Sequence, residues 1–114
     1  MNYVHKKINI TVPLGQTLGE GRIRLPEGQC LGMGVISTGN DPAQFVDLSV
    51  LDNGSEIVEG SDYRFYVKTN GGKWIDSLRP ITFNCNRTVD VRLAATTALA
   101  AALNVQVIFV IVQQ

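Results

Sequence analysis

Short stretches in which apolar and polar residues alternate recur along most of the chain. Successive side chains of a β-strand point to opposite faces, so this alternation predicts strands that are buried on one face. Turn residues, among them Asp52-Asn53-Gly54, separate the stretches at near-even spacing. The predicted strands cover residues 7–12, 21–26, 30–37, 44–52, 62–69, 80–85 and 88–94, and a closing strand lies within residues 104–112.

The pattern favours an all-β fold. No stretch before residue 93 sustains the period of 3.6 residues that a helix requires. Many short strands with turns between them are typical of a sandwich or a barrel. A chain of 114 residues is long enough for one hydrophobic core, and we therefore expect a single β-sandwich domain over residues 1–114.

The closing segment, residues 93–114, contains no charged residue. Its length suits a membrane helix, but Thr96, Thr97, Asn104 and Gln106 interrupt it, and its second half is rich in β-branched residues, which favour a strand. We therefore expect a strand and no membrane span. The alanine-rich stretch at 94–103 fits either a short helix or an irregular segment against a partner.

The closing strand is apolar on both faces from Ile108 onward. One face of a strand in a two-layer sandwich packs on the core, so the other must be covered by a loop, a helix or a neighbouring subunit. We expect a subunit interface here. The predicted interface residues are Ala98, Ala100, Ala101, Ala102, Val105, Val107, Ile108, Phe109, Val110, Ile111 and Val112.

Ten basic and ten acidic residues give a formal net charge of zero. This balance argues against a dedicated nucleic-acid binder and makes self-association easier. The charges are unevenly distributed, since residues 41–62 hold six acids and no base, whereas residues 63–114 hold six bases and two acids. Either interleaved strands mix these charges in space, or one edge of the domain attracts a different edge of its neighbour.

The residues that could carry chemistry form no recognisable site. His5 is the only histidine and lies near a chain end, where we expect it to be solvated. Cys30 and Cys85 match no metal or redox spacing, and the chain start lacks the apolar run of a secretion signal, so we expect buried free thiols. The glycines of GMGVISTG at 32–39 have the wrong spacing for dinucleotide binding and instead leave one face of a strand bare.

The acids around the Asp52-Asn53-Gly54 turn, Asp52, Glu56, Glu59 and Asp62, do not fit a twelve-residue calcium loop, and solvated turn acids are the better interpretation. We assign no catalytic, cofactor-binding or metal-binding residue, and we expect no enzymatic activity.

Three stretches together suggest a family. IRLPEGQCLGMGVISTGN, DLSVLDNGSEIV and an Ala/Thr-rich stretch leading into a terminal NVQVIFVIVQQ resemble the small jelly-roll structural proteins of bacteriophage and other virus particles. The resemblance implies a jelly-roll-like antiparallel β-sandwich with a capsid, decoration or fibre-base role. It also implies a virion protein that is made in the host cytoplasm and assembles with itself, as a trimer or larger, and with other virion proteins.

A glycan-binding β-sandwich is the alternative hypothesis. Trp74, Tyr63 and Tyr66 lie near the NGGKW turn and would provide stacking surfaces for sugar rings.

Overall fold

The computed structural model describes residues 2–38, 42–66 and 83–113. These residues form eight strands and one short 3₁₀ helix, η1. The strands are β1 (Asn2–Val12), β2 (Leu18–Leu25), β3 (Gln29–Ser37), β4 (Val46–Asp52), β5 (Ser55–Asp62), β6 (Phe83–Asn84), β7 (Arg87–Ala95) and β8 (Leu103–Gln113), and η1 covers Tyr63–Tyr66.

The strands form two four-stranded antiparallel sheets, which pack face to face. Sheet A has the order β1-β8-β3-β6 and sheet B the order β2-β7-β4-β5. The pairs β1–β8, β2–β7, β3–β6 and β4–β5 are the nested pairs of one long hairpin that turns between β4 and β5. The hairpin is wound so that β8 also pairs with β3 and β7 with β4. This is the jelly-roll arrangement, and the expected fold class is confirmed.

The core lies between the sheets and is filled by alternate residues of the strands. Phe109 is fully buried at its centre, and its ring meets that of Phe83 edge to face at 6.3 Å between centroids. Met33 and Val35 of β3 and Leu25 of β2 are also fully buried. The alternation of apolar and polar residues in the sequence therefore corresponds to the inner and outer faces of each sheet.

The closing segment is a strand, as expected. β8 lies between β1 and β3 in sheet A and pairs with β1 over its whole length, from Asn2 opposite Gln113 to Val12 opposite Leu103. The alanine-rich stretch before it is irregular, which resolves the alternative in favour of a non-helical segment. Among the described residues, no helix is long and apolar enough to cross a membrane.

The region after the β4–β5 turn differs from the prediction. The turn itself is confirmed, with positive φ at Asn53 (53°) and Gly54 (87°). Residues 55–62 then form a strand that the alternation did not indicate. The β4–β5 register shifts at irregularities, one of them between Leu48 and Val50, which disrupts the period of two.

The strand predicted over 62–69 is wrong for residues 63–66, which form the 3₁₀ helix η1; residues 67–69 lie outside the described ranges. The Asp62 carboxylate accepts a hydrogen bond from the backbone N–H of Arg64 at 3.0 Å, which turns the chain. Residues three apart share a face of a 3₁₀ helix, so Tyr63 and Tyr66 both enter the core.

Three connections, at residues 13–17, 42–45 and 96–102, meet at one end of the sandwich, which we call the loop end. Gly15 N–H donates to the Leu99 carbonyl at 2.9 Å, and Leu99 N–H donates to the Gln16 carbonyl at 3.1 Å. The side chain of Leu99 is buried, with 3% of its area exposed, and closes the core at this end.

Neighbouring residues of β8 give a direct test of the face assignment. We expect Phe109→Ala to lower the free energy of unfolding by about 3–5 kcal/mol, because it leaves a cavity in the core. Ile108→Ala, on the outer face of the same strand, should cost about 1 kcal/mol or less. Guanidinium denaturation of the two variants measures both values, and equal losses would show that the faces are assigned wrongly.

Candidate assembly surfaces

The outer face of sheet A is apolar along its two central strands. On β8, Ile108, Val110 and Val112 alternate with the core residues and therefore point away from the core. The register places Gly32 beside Val110 and Gly34 beside Ile108. Because glycine has no side chain, the neighbouring positions of β3 place no side chain next to Val110 and Ile108. We define the apolar face as the apolar residues and glycines on this side of sheet A: Tyr3, Gly32, Gly34, Ile36, Ile108, Val110 and Val112. His5 and Lys7 of β1 lie on the same side, opposite Val110 and Ile108, and border the apolar face.

Large side chains of the apolar face remain accessible. Tyr3 is 52% exposed and Ile36 is 46% exposed. Ile108 and Val112 are half-buried, whereas Val110 is only 5% exposed. The apolar face therefore offers contact area mainly at Tyr3, Ile36, Ile108 and Val112.

Part of the predicted interface requires correction. Four of its members belong to the core of the chain itself, with no more than 3% of their area exposed: Val105, Val107, Phe109 and Ile111. They offer no surface to a neighbouring subunit, because the alternation of β8 directs them between the two sheets. The sequence showed that β8 has two apolar faces but did not show which of them faces inward.

Polar side chains continue the apolar face toward the loop end. They surround Ile36 in an open depression of about 400 Å³. Gln106 donates to Asn9 Oδ1 at 2.9 Å, and Thr11 donates to Asn104 Oδ1 at 2.6 Å. Because these side chains are paired across strands, they form an ordered, uncharged rim.

The predicted alanine contact lies at the loop end, apart from the apolar face. Ala98, Ala100 and Ala101 are exposed and Ala102 is half-buried. The first three line an open depression of about 330 Å³, whose other side is formed by residues 42–44. The alanines therefore remain available for contact, but they belong to a different surface from β8.

A polar network fixes this alanine segment, and no local sequence pattern indicates it. The amide of Gln44 bonds to residues 96–97 four times. Its Oε1 accepts from Thr96 N–H at 3.0 Å, Thr97 N–H at 2.9 Å and the Thr96 hydroxyl at 2.7 Å, and its Nε2 donates to the Thr97 carbonyl at 3.0 Å. One side chain thus replaces the regular hydrogen bonds that this irregular segment lacks.

Arg64 anchors the segment that carries Gln44. Its guanidinium donates to the carbonyls of Pro42 at 2.8 Å and Gln44 at 2.6 Å. The same group bonds Asp62 through Nε at 2.8 Å and Nη2 at 3.0 Å, a two-point contact that sets its orientation. Because Pro42 and Gln44 are distant from Arg64 in the sequence, no sequence motif indicates these two contacts.

Asp62 is held as a carboxylate. Partial burial acts to raise its pKa, but hydrogen bonds from the Arg64 side chain and from the backbone N–H groups of Val46 and Arg64, together with the Arg64 charge, outweigh that effect. The pKa of Asp62 is therefore lowered from its usual value. The ionised form is the one that orders the loop end.

The outer face of sheet B is charged and internally paired. Glu20 and Arg92 stand opposite each other on β2 and β7 and bond at 2.7 Å, and Arg22 and Asp90 do so at 2.8 Å. The two outer faces of the sandwich therefore differ, since two ion pairs cross the strands of sheet B, whereas sheet A exposes apolar groups along its central strands.

The acidic and basic blocks of the sequence mix in part. Asp52 pairs with Arg87 at 2.8 Å, and Asp62 pairs with Arg64 at 2.8 Å. Both pairs join the acidic block to the basic one. The interleaved arrangement thus accounts for two of the six acids in residues 41–62.

The structure corrects the alternative stacking surface. Tyr63 and Tyr66 are 0% and 2% exposed and belong to the core, so they cannot stack on a sugar ring. Trp74, the third member, lies outside the described residues.

The other residues singled out in the sequence lie in or beside the strands. His5 is exposed on β1, and the GMGVISTG glycines Gly32 and Gly34 lie within β3. No group of three or more potential metal ligands occurs within residues 2–38, 42–66 and 83–113.

Cys30 and Cys85 are free, buried thiols, as expected. Burial raises the pKa of Cys30 to about 12, the adjacent Cys85 adds to the rise, and burial also raises the pKa of Cys85.

No protein-family model, curated protein or solved structure matches the chain.

Asp62→Asn tests the network at the loop end. The lowered pKa means that the carboxylate stabilises the fold above its unfolded pKa, near 4, and that this contribution disappears as pH falls through the folded value. We expect the variant to lose on the order of 1–2 kcal/mol at pH 7. The loss should shrink as pH falls below about 4.

Asp47→Asn is the matched control for Asp62→Asn. Asp47 stands opposite Asp62 in the β4–β5 register, is exposed, and has no ion pair among the described residues. It should change stability by less than about 0.5 kcal/mol. Urea denaturation at pH 7 and pH 3 measures both variants, and an equal loss at the two pH values for Asp62→Asn would contradict the assigned role.

Proposed function

We propose that this protein is a self-associating structural component of a virus particle, of the bacteriophage kind, with a capsid, decoration or fibre-base role. The jelly-roll fold is compatible with this role, since it also builds capsid and lectin domains. A fold alone does not define a function. The observation that carries the proposal is the apolar face, with Ile36 at 46% and Tyr3 at 52% exposure on a regular sheet surface.

A flat apolar surface suits a second copy of the chain. Covering it removes apolar area from water, which contributes about 25 cal/mol per Å². A stable contact needs about 800 Å² per partner, so we expect the polar rim around Ile36 and the neighbouring β1 residues to belong to the same contact. A central apolar patch with a polar rim is the usual composition of protein interfaces.

The proposed assembly is a homo-oligomer, a trimer or larger, that also contacts other virion proteins and is located in the virion after synthesis in the host cytoplasm. The proposal includes no nucleic acid, membrane, cofactor or catalytic activity. The alanine segment, held by Gln44 at the loop end, supplies a second, smaller contact surface.

Glycan binding is the weaker candidate. Two of its three proposed stacking residues, Tyr63 and Tyr66, are in the core, and no observation on the described residues favours it.

Substitutions on the apolar face test the proposal. We expect the purified protein to be a trimer or larger at micromolar concentration by multi-angle light scattering. Ile36→Asp combined with Val112→Asp should yield a folded monomer, because neither residue stands opposite a basic residue and an unpaired charge in an apolar contact is costly. Far-UV circular dichroism should be unchanged.

The control is Thr88→Asp, which places a new charge on the outer face of sheet B, where Thr88 is exposed on β7 opposite Arg24. It should leave the oligomer intact. A wild-type monomer at these concentrations, or an oligomer that survives both aspartates on the apolar face, would contradict the proposed role of the apolar face.

A further inference from the structure

Two edge strands of the sandwich carry opposite charges. β1, the edge of sheet A, exposes Lys6 and Lys7 and contains no acid. β5, the edge of sheet B, exposes Glu56 and Glu59 and contains no base. We call these the basic edge and the acidic edge.

The two edges lie on opposite sides of the molecule. β1 packs next to β2, the other edge of sheet B, as the contact of Gly21 with Ile8 shows. β5 is three strands away from β2 in sheet B, beyond β7 and β4. The charges of one edge therefore cannot neutralise those of the other within one chain.

Within the described residues, these charges have no ion-pair partner. The other two acids near the turn, Asp52 and Asp62, are paired with arginines, whereas Glu56 and Glu59 form no ion pair with a described residue. The carboxylate of Glu56 accepts the backbone N–H of Gly60, at 3.3 Å. Lys6 and Lys7 likewise have no ion pair among residues 2–38, 42–66 and 83–113.

We propose that the basic edge of one copy docks on the acidic edge of the next. The inference rests on the proposed self-association and specifies a second contact for it, along the strand edges and next to the apolar face, which Lys7 borders. Charge complementarity commits this surface to a second copy of the chain, since the same molecule carries both halves. Among the described residues the outer sides of both edge strands pair with no other strand, which gives the contact additional hydrogen-bonding capacity.

The same charges exclude the symmetric alternatives. Two basic edges repel each other, and so do two acidic edges, so neither strand pairs with its own copy. The contact is therefore head-to-tail, which generates a ring or an extended array and not a closed dimer. Combined with the apolar face, it gives each subunit two kinds of contact, as a shell or a tube of identical subunits requires.

Charge reversal tests the contact. Lys6→Glu with Lys7→Glu makes both edges acidic, and Glu56→Lys with Glu59→Lys makes both edges basic. Each double variant alone should associate about tenfold more weakly than the wild type in low salt, because exposed pairs are individually weak but act together in this contact. Sedimentation velocity over a concentration series measures the association.

Complementation separates the electrostatic contact from a folding defect. An equimolar mixture of the two double variants should recover association, since every contact in an alternating array then joins unlike charges. The quadruple variant, with both edges reversed, should also associate like the wild type. In 1 M salt, where the Debye length is about 3 Å, the differences between the variants should disappear. As a control, Glu56→Gln retains an acceptor for Gly60 N–H and should lose only part of the association.

The outcomes distinguish this inference from the proposed function. If the double variants associate like the wild type, or if the mixture and the quadruple variant both stay dissociated, the edge contact is wrong. The test at Ile36 and Val112, neither of which stands opposite Lys6 or Lys7, decides the apolar face independently. A wild-type protein that is monomeric at every concentration would overturn both proposals.

Discussion

The pairing of β8 with β1 is the constraint on which the rest of the structure depends. It joins residues 2–12 to residues 103–113, the two ends of the described chain, in eleven consecutive register positions. Every other pair of the nested hairpin lies inside this one in sequence, so the sandwich closes only when the two ends meet. β8 then lies between β1 and β3, and its inner face fills the core. Its outer face lies at the centre of the sheet surface, and β3 places no charged residue next to it.

The asymmetry between the two outer faces follows from this placement. Sheet B pairs Glu20 with Arg92 and Arg22 with Asp90 across its strands β2 and β7. On sheet A, the bare glycines of β3 lie beside Ile108 and Val110 and leave a flat apolar strip. The polar network from Asp62 through Arg64 to Gln44 meanwhile orders the loop end without burying the alanines. The molecule thus offers an apolar face, an ordered loop end and two oppositely charged edges.

Much of the fold could be predicted from the sequence, because a period of two identifies strands wherever one face is buried. β2, β3 and β7 obey this rule, and the glycine alternation at 32 and 34 indicated the bare outer face, with Ile36 at the next position on that side. The rule failed at β5, whose pairing with β4 is irregular and where the adjacent apolar residues Ile57 and Val58 interrupt the alternation. The rule failed again at η1, where the Asp62 carboxylate turns the chain. It also failed to distinguish the two faces of β8, since both are apolar and only the position between two strands decides which faces inward. The Gln44 contacts and the separation of the charged edges depend on strand order, which no local pattern encodes.

The most direct measurement of the central claim is hydroxyl-radical footprinting over a dilution series of the wild-type protein. If the apolar face is a subunit contact, modification of Ile36 and Tyr3 should fall steeply as the concentration rises through the association range. Leu18, which is 49% exposed on the outer face of sheet B, serves as the internal reference and should be modified equally at every concentration. Modification of Ile36 and Tyr3 that does not depend on concentration, while light scattering reports an oligomer, would show that the subunits meet through another surface and would contradict the assignment of the apolar face as the subunit contact.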